Sequence, residues 1–163
     1  MSTEWVQFGT QKMLVPGAVD AVDLNMLVAR RGGVRGDDVT VEGEHGVLPR
    51  RRVRAVWDFV VAFDVSGDAT LAGAPRPSGT TARVQARKNV HALVDAIVAP
   101  YPSSTTIPFV HHDEDGDEWD AEVIVLAPAT SSPGSPHRGE VIRLVLDVRV
   151  PSGLLLPVEA AAS

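Results

Sequence analysis

Residues 53–65 alternate with period two. Val53, Ala55, Trp57, Phe59, Val61, Phe63 and Val65 share one parity, while Arg52, Arg54, Asp58 and Asp64 fall on the other. Successive side chains of a strand point to opposite sides, so this pattern predicts a strand with one face in a core. Thirteen residues at roughly 3.3 Å each extend about 40 Å, which is long for a strand. Val56, Val60 and Ala62 sit among the charges, so the second face is partly apolar too. The residues ahead of the strand carry turn chemistry. Gly32-Gly33, Gly36-Asp37-Asp38, Gly43 and Gly46 are turn residues that tolerate positive φ. Between them Val39-Thr40-Val41 is a short β-branched run. The stretch predicts a hairpin over residues 32–48, a glycine turn and then the long strand.

The remainder reads as short strands around one helix. Trp5-Val6-Gln7-Phe8 and Met13-Leu14-Val15 flank Gly9-Thr10 and predict a small hairpin, read as an N-terminal arm over residues 1–15. Residues 20–30 place Val22, Leu24, Met26 and Val28 on one parity and read as a strand, with a helix as the competitor. Residues 81–99 are the best helix. Ala86, Val90, Leu93, Val94 and Ile97 make an apolar stripe, and Arg83, Arg87, Lys88, His91 and Asp95 lie away from it. Thr80 or Thr81 offers an N-cap, and Pro100 and Pro102 stop the helix.

Strands then return. Residues 104–110 form a short one whose Pro108 favours a sheet edge. Residues 119–127 alternate, and residues 140–150 set Ile142, Leu144, Leu146, Val148 and Val150 against Arg143, Asp147 and Arg149. The Pro/Ser/Gly-rich residues 128–139 between them read as a mobile loop, and residues 154–156 are a last apolar patch. Strands, one helix, then strands predict a mainly β, α+β fold. We expect an antiparallel β-sandwich or barrel with the helix laid on one side, built from residues 1–163 as a single domain.

Composition narrows the function classes. A chain of 163 residues with 44% hydrophobic content can bury a core, and only 5% aromatic content means Val, Leu, Ile and Ala must fill most of it. There is no Cys, so disulfides, thiolate metal sites and a Cys nucleophile are excluded. No apolar run reaches the roughly 18 residues of a membrane span, and the first residues lack a signal-peptide pattern. The expected location is the cytoplasm or a particle assembled there. A net charge of −6 argues against general nucleic-acid binding.

Candidate chemistry is sparse. His111-His112-Asp113-Glu114-Asp115-Gly116-Asp117-Glu118 offers metal-ligand residue types. Adjacent His residues on a strand point to opposite faces, however, and the distal Glu of an EF-hand is missing. An acidic hairpin tip is the expectation, with no metal and no cofactor. There is no Gly-x-Ser-x-Gly, no P-loop and no His-Glu-x-x-His, and Asp37-Asp38 sits in a turn. No enzyme is expected and no catalytic residue is assigned. Arg50, Arg51, Arg52 and Arg54 form the one basic cluster, suited to phosphates, to acidic residues of another subunit, or to plain solvation.

One resemblance is carried by the opening stretch. Gly36-Asp37-Asp38-Val39-Thr40-Val41-Glu42-Gly43-Glu44-His45-Gly46-Val47-Leu48-Pro49, then a basic run and a hydrophobic strand ending at Gly67, resembles the distal tail proteins of long-tailed bacteriophages. The match covers residues 32–67; elsewhere only the order of elements agrees. The resemblance implies a structural virion protein with a tail-tube-like β-sandwich and a flanking helix. It implies a homohexameric ring joining the tail tube to the tip or baseplate hub, with the tape measure protein as a further neighbour. Genome DNA would pass through the lumen without specific binding, so the pore-facing side is expected to be net acidic. Another tail ring, such as a tube or terminator protein, and a stand-alone β-sandwich that binds a ligand or carbohydrate are the alternatives.

The residues give their own reason to expect association. Val56, Val60, Ala62, Val141 and Val145 lie opposite the best apolar stripes. A single-layer sheet would leave one apolar face in water at roughly 25 cal/mol per Å². Expected subunit-contact residues are Trp5 and Phe8 in the N-terminal arm, Val39, Val41, His45 and Leu48 in the hairpin, and the Arg50, Arg51 and Arg52 cluster.

Overall fold

The computed structural model describes residues 4–32, 34–35, 39–40, 47–48, 53–98, 105–131 and 141–159. The predicted long strand is its centre, in a shorter form. β8 (Trp57–Ser66) buries Trp57, Phe59, Val61, Phe63 and Val65. Val53 and Arg54 leave the expected strand: they pair with Val34 and Arg35 in a separate antiparallel ladder. Ala55 and Val56 are unpaired between the two. The parity was right, and the boundary was set by a ladder partner that alternation cannot register.

Eight strands form the main antiparallel sheet. They are β1 (Trp5–Phe8), β2 (Gln11–Lys12), β3 (Val19–Asp23), β8, β9 (Ile107–His112), β10 (Glu118–Ser131), β11 (Val141–Val150) and β12 (Leu156–Pro157). Their order is β2-β1-β9-β10-β11-β8-β3, with β12 beside β10. β10 organises the sheet: residues 118–123 pair with β9, and residues 124–131 pair with β11 across a register shift between Val125 and Ala127. Four short strands precede β8: β4 (Val34–Arg35), β5 (Val39–Thr40), β6 (Val47–Leu48) and β7 (Val53–Arg54).

The sheet curls on itself. β8 and β9 stand three strand positions apart, roughly 14 Å in a flat sheet. Yet the Phe59 and Phe109 rings on them are 5.6 Å apart between centroids. The concave side holds one hydrophobic cluster that joins Val6 and Phe8 to Phe63, Leu144, Leu146 and Val148. The helix α1 (Ala82–Ile97) adds Ala86, Val90, Leu93 and Ile97 to the buried set.

The helix begins where its cap residue predicts. The Thr81 hydroxyl accepts from the Val84 amide at 3.3 Å, meeting one of the amides that the first turn leaves unbonded. Replacing Thr81 with Ala should cost about 1 kcal/mol. Thermal melts of the two proteins check this, and an unchanged midpoint would show that the cap contributes nothing. The expected stops, Pro100 and Pro102, lie outside the described residues.

Several expectations are corrected. The strand read over residues 20–30 ends at Asp23 and gives way to a 3₁₀ helix, Asn25–Ala29. Only Leu24 and Leu27 of its apolar residues are buried, and Val28 is 76% exposed. A spacing of three won over a spacing of two because both patterns coexist there. The expected N-terminal hairpin forms between β1 and β2, and β1 also joins the sheet by pairing with β9 from Trp5↔His112 to Phe8↔Phe109. Val6, Phe8 and Met13 are what pin it.

Pro108 is not on an edge, since β9 is paired on both sides. Its carbonyl accepts from Gly9 at 2.7 Å, one residue past the last β1 pair. The N–H it lacks would point the same way, beyond the end of that ladder. Pro128 to Ser131, expected in a loop, pair instead with Leu146 to Arg143, and residues 132–139 of that expectation lie outside the described residues.

Candidate functional site

The expected contact residues fall into three groups. Trp5 is half-buried on the sheet surface, stacked on His112 at 5.1 Å with the rings 6° from parallel. Lys12 Nζ lies 4.2 Å from the Trp5 ring centre on that surface. Phe8 is 1% exposed and packs on Phe109, so its surface is already used by the chain's own core. Val39 pairs with Leu48, and Thr40 with Val47, in an antiparallel ladder. A second, separate two-stranded ladder pairs Val34 with Arg54 and Arg35 with Val53. Val41, His45, Arg50, Arg51 and Arg52 lie outside the described residues.

The open face of the sheet is acidic with an apolar centre. On β3, β8 and β11 it carries Asp20, Asp23, Asp58, Asp64 and Asp147 against Arg143 and Arg149. Asp64 takes Arg143 through two bonds of 2.9 and 3.2 Å, and Asp58 takes Arg149 through two of 2.8 and 2.9 Å. The fork of a guanidinium matches a carboxylate in this way. The Arg149 bond, with the Arg149 charge, holds the Asp58 carboxyl below its ordinary pKa against the opposing effect of burial. The Asp64 and Asp58 bonds raise the pKa values of Arg143 and Arg149. Between the ion pairs lie Val60, Ala62 and Val145, with Met26 beside Val60.

The β9–β10 turn is built on one carboxylate. Asp113 is 7% exposed. Its Oδ1 accepts from the amides of Asp115 (3.1 Å) and Asp117 (2.9 Å). Its Oδ2 accepts from Trp119 Nε1 (3.0 Å) and Arg30 Nη2 (2.8 Å). The Arg30 guanidinium also lies 3.9 Å above the Trp119 ring. Burial pushes the Asp113 carboxyl up. The Trp119 bond, the Asp117 and Asp115 amides and the Arg30 charge outweigh it, so the pKa is lowered. His111, 2% exposed, sits beside this turn with Nε2 at 2.7 Å from Glu4 Oε1. His112 points to the other face, as alternation requires. Among the described residues, no group of three or more His, Cys, Asp or Glu converges on one point as metal ligands would.

Two features of the structure were not read from the sequence. The Asp-rich turn was legible, but Arg30, 83 residues earlier, carries no local signal of its role. A second missed feature is a groove of about 470 Å³ between α1 and the far end of the β10–β11 pair. Val90, Val94, Pro128 and Ile142 line it with Arg87 and His91.

No protein-family model matches the chain, and no curated protein matches it. Among solved structures, it is similar to the SPP1 Dit (gp 19.1) protein, a paradigm of the hub adsorption apparatus in phages infecting Gram-positive hosts. The TM-score is 0.54 at 13% identity, over 97% of this chain and 54% of that one. The chain thus spans about half the length of that Dit protein. At this identity the likeness establishes a shared fold. That fold is mainly antiparallel β, with a curled sheet and one flanking helix, as the order of elements predicts.

Proposed function

We propose that this protein is a structural component of a phage tail. In this reading it forms a ring at the distal end of a siphophage tail and joins the tube to the tip or baseplate hub. The observation that carries the reading is the likeness in fold to SPP1 Dit along 97% of the chain. The acidic open face fits a channel wall. Carboxylates there repel the phosphates of a passing genome, where a basic wall would hold them. The half-buried Trp5 fits a contact with further protein. The partners are other copies of the chain, six to a ring, with the tube, hub and tape measure proteins as neighbours. The protein is assembled in the host cytoplasm and carried in the virion.

Light scattering and negative-stain imaging test this on the purified protein, alone and mixed with the tube and hub proteins. Rings with the mass of six chains are the expected result. A folded monomer at high concentration that stays single with those partners would sink the reading.

A further inference from the structure

The two ends of β10 carry surfaces that complement each other. At one end, the β9–β10 turn exposes Glu114, Asp115 and Asp117. Beside it β12 pairs with Trp119 and Asp120, and Leu156 and Val158 there are 56% and 41% exposed. This end is an acidic knob with an apolar flank. It is held stiff by the four hydrogen bonds that Asp113 accepts beneath it. At the other end, Pro128 and Thr130 line the groove against α1. Its floor is apolar, and Arg87 and His91 line it, with the exposed Lys88 next along the helix. Asp95 is the one carboxylate in its lining. Among the described residues, none of Glu114, Asp115, Asp117, Arg87 and Lys88 is in an ion pair.

We infer that the knob of one copy seats in the α1 groove of the next. The inference rests on the ring reading above and adds which surfaces meet. Leu156 and Val158 cover the groove floor, and the carboxylates face Arg87 and Lys88. Apolar contact supplies the attraction, and the charges fix which end meets which. A preorganised knob also loses little conformational freedom on docking. The two patches differ and lie about 40 Å apart along the strand. The contact is therefore heterologous, and every copy offers one of each, so a chain of copies ends only by closing.

Two charge reversals test this. One variant carries Arg87→Glu and Lys88→Glu; the other carries Glu114→Lys and Asp115→Lys. All four side chains are exposed, so both variants should fold, which circular dichroism and melting verify. Each alone should associate roughly a hundredfold more weakly at low salt, since like charges then face each other. Mixed one to one, they should recover the assembled mass, because reversed knob meets reversed groove and native knob meets native groove. A wild-type protein that assembles, with both variants assembling equally well, overturns the inference and leaves the ring reading intact. Weakened variants that fail to rescue each other also overturn it. So do intact rings that lose binding to a neighbouring tail protein, which would give the groove to that partner. A wild-type protein that stays a monomer at high concentration, alone and mixed with the tube and hub proteins, overturns both readings.

Discussion

Replacing Gly67 with Ala should destabilise the protein by about 4 kcal/mol. Gly67 follows β8 and lies directly under α1. A Cβ there would meet the backbone of Ala82 and the backbone nitrogen of Ala86, with Ala86 N at 2.7 Å. Backbone cannot turn aside as a side chain can, so the helix must lift. Its lift breaks bonds as well as contacts. Asn89 Nδ2 donates to the carbonyls of Ser66 (2.8 Å) and Ala69 (2.9 Å), on either side of Gly67. Gln85 Nε2 donates to Asn89 Oδ1 at 2.9 Å and holds that amide in place. Overpacking costs about 1–3 kcal/mol, and each buried bond left unmade adds about 1–3 kcal/mol. The melting midpoint should fall by about 12 °C. Gly73 is the control: a Cβ meets nothing within 4 Å, and only its φ of +83° resists Ala. Gly73→Ala should cost about 1 kcal/mol. A Gly67→Ala protein that melts within 2–3 °C of wild type, a shift of about 1 kcal/mol, would show that the helix is not held against this turn.

What the sequence disclosed follows from the range of each interaction. Alternation in β8 and β11 was legible because burial on one face leaves a local record, and all five residues from Trp57 to Val65 at the predicted parity are buried. The helix was legible for the same reason, with a cap that is also local. The 3₁₀ helix was not, because Leu24 and Leu27 suit either a strand or a helix, and the choice lies with what they pack against. The division of residues 53–65 into two ladders depends on Val34 and Arg35, which no pattern within the strand reports. The curl of the sheet, the Arg30–Asp113 contact and the α1 groove are long-range facts of the same kind. They join residues whose separate surroundings in sequence are ordinary. Of the expected contact residues, Phe8 shows the limit of reading apolar residues near a terminus. An apolar residue there serves a core or a partner equally well, and β9 decides the matter by pairing with β1.

Replacing Asp113 with Asn should cost about 3 kcal/mol at neutral pH and much less in acid. Asn keeps the size of the side chain but holds an acceptor at one end only. With its oxygen toward the Asp115 and Asp117 amides, its NH₂ faces Trp119 Nε1 and Arg30 Nη2, two donors. Turned round, it faces the two amides instead. Either way two of the four bonds are lost, and Arg30 loses its counter-charge in a site that is 7% exposed at the aspartate. Removing one partner of a buried ion pair costs about 3–5 kcal/mol, and the partial exposure of Arg30 puts this case at the low end. The pH dependence has a definite sign. Asp113 has a lowered pKa in the folded protein, so the carboxylate favours folding wherever it is ionised in both states, above about pH 4. As pH falls through the folded value, both states take up the proton and that advantage is lost. Asn carries no such proton, so the gap between the two proteins should be widest near pH 7 and narrow steadily below about pH 4. Thermal melts at matched protein concentration measure the gap, since assembly would itself shift the midpoint by mass action. A midpoint about 9 °C lower at pH 7 is expected. Equal midpoints at pH 7, or a gap that does not narrow anywhere in the acid range over which the protein stays folded, would show that the carboxylate is not what holds the turn.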